Sequence, residues 1–153
     1  LPLFQKLKRF LIFDFKQVAN ACEYDLVLKD NDFAINMIEH KQYHHHNMAM
    51  ICLGTINLIA SPGSDLTELG SIRELLTLGQ TASRIANSIC TWQREIQKKD
   101  YSSGVMRQSI LQKVVDLRED DSTMIEKVES SGILKEHLTQ WKSLFLQMKP
   151  HTR

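Results

Sequence analysis

The chain has 153 residues, 42% hydrophobic and 24% charged, with a formal net charge of +1, the composition of a soluble globular domain able to bury a sizeable core. That balance supplies no field for nucleic acid or an acidic membrane surface, so neither is expected as a partner. No apolar run is long enough to span a bilayer, and Leu1 to Phe15, broken by Lys6, Lys8, Arg9 and Asp14, lacks the small-residue cleavage pattern of a secretory signal. Cys22, Cys52 and Cys90 are odd in number and form no Cys-x-x-Cys pair, which suits reduced thiols in a cytoplasmic protein.

Apolar residues recur at helical spacing nearly throughout, and Gly and Pro sit where helices should stop. The expected architecture is all-α, an antiparallel helical bundle. Leu7, Phe10, Leu11, Phe13, Val18, Ala21, Cys22 and Leu26 predict a first helix from Phe4 to about Leu28, broken by Lys29 to Asp32. A second helical region is expected from about Ala34 to Ala60, interrupted near Tyr43 to Asn47 and ended by Ser61 to Ser64. Asp65 or Thr67 caps a third, reaching about Lys99 with Leu66, Leu69, Ile72, Leu75, Leu76, Leu78, Ile85, Ile89 and Ile96 as its apolar positions. Gly70 and Gly79 inside it point to close packing of a neighbour or a local bend. After a polar break at Tyr101 to Gly104, a fourth helix is expected over Val105 to about Leu117. A fifth, capped by Asp120, Asp121 and Ser122, runs from Thr123 to Ser130, and a sixth from Ile133 to about Met148 is closed by Pro150.

The third helix carries the residues with the most chemistry. Asn87, Thr91 and Glu95 recur every fourth position, so three oxygen-bearing side chains share one stripe. At about 100° and 1.5 Å per residue, Glu95 lies roughly 80° around and about 12 Å along the axis from Asn87. Side chains lean toward the helix N-terminus, which brings the long Glu95 back past Thr91 toward Asn87. A carboxylate, a hydroxyl and an amide oxygen suit a hard cation such as Mg²⁺, which keeps several waters and uses few protein ligands together with substrate phosphates. The bland reading is an ordinary polar stripe.

The string from Asn87 to Glu95, with Arg94 just before the Glu, resembles the second metal-binding motif of class I terpene synthases, Asn/Asp-Asp-x-x-Ser/Thr-x-x-x-Glu. Ser88 stands where that family commonly has Asp, at a position that is not a ligand. The flanks His46 to Met48, Thr55 to Leu58, Ser61 and Pro62, Leu69 to Glu74 and Asp100 to Gly104 are similar to the C-terminal half of microbial terpene cyclases. The resemblance implies that residues 1–153 form the C-terminal half of such a catalytic domain, with the aspartate-rich motif of the N-terminal half absent from this chain. The start at Leu1 rather than Met agrees with that. It implies Mg²⁺ as cofactor, held by Asn87, Thr91 and Glu95. Arg94 would be the catalytic cation on the diphosphate of an isoprenyl substrate, and Lys41 would stand where the family often has a phosphate-sensing arginine. The N-terminal half of the same enzyme is the expected partner, and a homodimer is compatible. The family's late Arg-Tyr pair has no counterpart, since the chain ends at His151, Thr152 and Arg153.

His40 and His44 form an i, i+4 pair within a cluster completed by His45 and His46, a spacing that chelates Zn²⁺ when helical. No third ligand is evident, and a polar helix break is the better expectation. Asp120 and Asp121 read as a solvated connection, and Phe10, Phe13, Phe33, Trp92, Trp141 and Phe145 as ordinary core aromatics. Three functions follow. The first is Mg²⁺-dependent ionisation of an isoprenyl diphosphate with cyclisation of the carbocation, for which this half alone should not suffice; the second is a non-catalytic helical interaction domain, and the third a zinc-binding bundle.

Overall fold

Side-chain caps mark where three of the described helices begin. The computed structural model describes residues 3–29, 31–61 and 63–148, and among them are seven α-helices and no strand. The fold class is therefore all-α, a bundle of packed helices.

Helix α1 spans Phe4–Lys29. It buries only Leu7, Asp14, Ala21 and Leu28, every seventh residue, a seam narrower than its apolar pattern suggests. Phe10, Phe13 and Leu26, expected in the core, are exposed at 41%, 54% and 68%. Helix α2, Met37–Tyr43, starts at Asn36, whose Oδ1 accepts from the Glu39 amide at 2.8 Å while its Nδ2 donates to Glu39 Oε2 at 2.8 Å. The first bond satisfies one orphan amide of the first turn, and the second ties the two side chains together. The expected interruption follows as a 3-10 turn, His44–Met48, and a left-handed Ala49 at φ 55° that redirects the chain into α3, Met50–Ala60.

Asp65 accepts from the Thr67 amide at 2.8 Å and opens a single 3-10 turn, Leu66–Glu68, that runs straight into α4, Leu69–Lys98. With 30 residues, α4 is about 45 Å long and packs against α3 and three helices that follow it. Where α3 crosses α4, a side chain at Gly54 would collide with Leu76, so the glycine sets that approach. Gly70 faces open space, which removes close packing as its explanation, whereas Gly79 lies against Met50 and Met148. Lys99, left-handed at φ 54°, ends α4, with the Asp100 amide donating to the Glu95 carbonyl at 2.9 Å.

Ser103 caps α5, Gly104–Leu111, by accepting from the Met106 amide. The helix stops six residues short of the expected Leu117. Left-handed Lys113, at φ 57°, turns the chain so that the Val114 amide reaches the Ser109 carbonyl at 2.9 Å, and the helical ladder stops there. Asp120 caps α6, Asp121–Ser130, and Gly132, at φ 85°, separates it from α7, Ile133–Gln147. Pro150 lies outside the described residues. Trp92 and Ile96 of α4 pack with Val105 and Met106 of α5, Met124 and Val128 of α6 and Ile133 of α7 into the main core.

Candidate functional site

Two aspartates on α1 organise the polar interior. Asp14, on the apolar seam, accepts two hydrogen bonds from Arg73 of α4, at 2.6 and 2.9 Å, and a third from the Thr55 hydroxyl of α3 at 2.7 Å. Asp25, about three turns further on, receives Arg107 of α5 at 2.9 Å, His44 at 3.1 Å and Asn47 at 3.4 Å. Burial pushes the Asp25 carboxyl up, but the His44 hydrogen bond and the Arg107 charge outweigh it and hold the group below its ordinary value.

The partners of Asp25 lead inward to a histidine cluster. Arg107 also points at His40 Nδ1, 3.0 Å away, and Arg84 Nε donates to His44 Nε2 at 2.6 Å. A guanidinium only donates, so both imidazole nitrogens that face one must be acceptors. His44 therefore carries its proton on Nδ1, toward Asp25, and His40 carries its own on Nε2. Burial, reinforced by neighbouring cations, keeps both rings neutral, with His40 pushed down to about 2 and His44 to about 4. His137 of α7 completes the cluster. It is 5% exposed, and both its ring nitrogens are buried without a hydrogen-bond partner. Gly104 separates His40 from His137: a Cβ there would lie 3.1 Å from His40 Nε2 and 3.0 Å from His137 Cε1. Between these rings and α4 lies a cavity of about 110 Å³.

On the α4 stripe the Thr91 and Glu95 side chains are in contact, and Asn87 joins them through its backbone carbonyl. Thr91 Oγ1 lies 2.6 Å from Glu95 Oε1 and 2.8 Å from the Asn87 carbonyl oxygen, and its single proton serves one of them at a time. Glu95 is 8% exposed, Thr91 and Asn87 are half-buried, and Glu95 Oε2 is buried with no hydrogen-bond partner. The three are not in the lining of the histidine cavity. Arg94 is exposed and forms no ion pair among the described residues. Lys41, exposed on α2, lines the histidine cavity, apart from the stripe. Ser88 faces away from the stripe too, its Oγ accepting from the Gly104 amide at 3.3 Å, which ties α4 to the start of α5.

His40 and His44 do stand one turn apart, with ring centroids 4.2 Å from each other. Three of their four nitrogens are engaged by Arg107, Asp25 and Arg84. The pair is thus committed to a hydrogen-bond network rather than arranged as a chelate. Asp25, Arg107 and His137 escaped the sequence reading. Asp14 left one trace, an acidic residue in phase with Leu7, Ala21 and Leu28. No protein-family model, curated protein or solved structure matches this chain.

Proposed function

We propose that this chain is the C-terminal half of a class I terpene synthase domain, which ionises an isoprenyl diphosphate with Mg²⁺ and cyclises the resulting carbocation. The observation that carries the reading is Glu95 Oε2, a carboxylate oxygen buried with no partner beside a hydroxyl already bonded to its twin. Leaving a buried polar atom unmade costs about 1–3 kcal/mol, more for a charged group, and a cation ligated there removes that cost. The donor set fits Mg²⁺: the Glu95 carboxylate, the Thr91 hydroxyl and the Asn87 amide oxygen are hard oxygen ligands on one stripe. When bound, the metal supplies positive charge for a departing diphosphate.

The chain's own residues would do the rest. Thr91 orients Glu95 through the 2.6 Å hydrogen bond, so the free carboxylate edge is held in one place. Exposed Arg94 would meet the diphosphate oxygens with a planar fork, whereas Lys41, which the resemblance also assigns to the diphosphate, lines the histidine cavity instead. Ile12, Phe13, Phe15, Leu26 and Val27 of α1 and Phe145 and Leu146 of α7 are exposed, which supports a face that awaits further protein. The same residues favour a second reading, a helical interaction domain without chemistry.

Mn²⁺ titration of the isotopically labelled chain separates the two. Paramagnetic broadening centred on Asn87, Thr91 and Glu95, reversed by excess Mg²⁺ and lost in Glu95→Gln, is expected. An absence of localised broadening there would leave the interaction domain. In an assembled enzyme, Asn87→Ala or Glu95→Ala should nearly abolish diphosphate release, and Thr91→Ala should reduce it less.

A further inference from the structure

We propose that the cavity between α2, α4, α5 and α7 binds a small oxyanion of the phosphate class, recognised by side chains without a metal ion. The lining carries two cations, Lys41 and Arg84, with four histidines and the polar Thr81, Ser88 and Gln140, and includes no carboxylate. Cavities in which positive charge gathers without acid attract anions, and low-dielectric walls strengthen the attraction.

Three further observations point to an occupant. Arg84 is half-buried, and both its hydrogen bonds among the described residues end on one neutral nitrogen, His44 Nε2. Its remaining N–H groups are available for bidentate binding of an oxyanion. His137 is 95% buried, with two unpartnered nitrogens, and it lines the cavity. His40 presents an Nε2–H beside it, because Arg107 claims Nδ1, and the missing side chain of Gly104 lets the two rings approach the same space. At about 110 Å³ the cavity exceeds by far the roughly 10–15 Å³ that one water needs. Lys41, His137 and Gln140 also line an adjoining cleft of about 200 Å³, where an organic group esterified to the anion would lie.

Nothing here depends on Asn87, Thr91 or Glu95, and the test keeps the two sites apart. The intact chain, in EDTA, is titrated with inorganic phosphate, inorganic diphosphate or an isoprenyl diphosphate, with chloride at equal ionic strength as the control, while histidine ring nitrogens are followed by NMR. Saturable shifts of His40 and His137 with phosphate and not with chloride are expected. Tighter binding of both diphosphates would name a diphosphate as the source of the anion, and equal affinity a free phosphate group. Arg84→Gln should weaken binding about tenfold or more, through loss of the bidentate charge-assisted hydrogen bonds, and Lys41→Ala by a smaller factor. Lys41 is exposed, so its variant reads out binding even if Arg84→Gln does not fold. His137→Gln, which keeps a donor, should retain binding, and His137→Leu should lose it. A flat titration to tens of millimolar phosphate, or shifts unaltered in Lys41→Ala and His137→Leu, would show a cavity holding water alone and overturn the proposal.

Discussion

Mild acid should destabilise this protein through its histidine cluster. In the unfolded chain a histidine binds a proton near pH 6.5, whereas in the fold burial holds His40 down to about 2 and His44 to about 4. Both folded values lie below the unfolded one. Their neutrality therefore costs nothing above pH 6.5, and stability falls as the pH drops from there toward the folded values, because only the unfolded chain takes up the protons. At about 1.4 kcal/mol per pH unit, each ring removes roughly 2 kcal/mol by pH 5, about 4 kcal/mol together. His45 and His137, also lowered by burial, act in the same direction. The Asp25 shift matters only near and below the ordinary carboxylate range, outside this window. Urea unfolding at pH 7, 6 and 5 should show this fall at constant slope against denaturant. Against a total of about 5–15 kcal/mol for a domain, it is a large share. A change under about 1 kcal/mol across the window, or folded-state NMR titration of His40 and His44 near pH 6.5, would refute the reasoning.

Two other substitutions test the architecture. Arg73→Ala leaves Asp14, 3% exposed, with only Thr55 as partner and should cost about 3–5 kcal/mol by urea unfolding, while replacing Asp14, Thr55 and Arg73 together by apolar residues should cost far less. Lys113→Gly places glycine at an exposed position with φ 57° and should raise stability by about 1 kcal/mol, seen as a higher melting temperature.

Helix starts were legible because they depend on local chemistry. Asp65 and Asp120 accept hydrogen bonds from amides two and three residues on, a relation visible in any short window. The end of α5 was not, since Lys113 carries no sequence mark of the left-handed turn it adopts. Burial on α1 was overread: Phe10, Phe13 and Leu26 have core chemistry but lie off a one-in-seven seam that only the packing partners define. The stripe on α4 was readable from helix geometry, and the Thr91 to Glu95 hydrogen bond follows from an i, i+4 relation. The histidine cavity needed the fold. Arg107 meets His40 across 67 residues and Asp25 across 82, distances over which no periodicity speaks.

Those same separations bear on synthesis. Asp14 and Asp25 leave the ribosome ahead of their partners, on a helix whose apolar flanks are exposed even in the finished fold, and their arginines follow 59 and 82 residues later. At about 5–20 residues per second, Asp25 waits roughly 4–16 s for Arg107. For that interval the two carboxylates lack the arginines that later lock them in place, on a helix that also carries Lys6, Lys8, Arg9, Lys16 and Lys29. A substitution that neutralised either aspartate would thus leave the nascent helix its five cations and be felt later, when Arg73 or Arg107 arrives and finds no carboxylate to dock on.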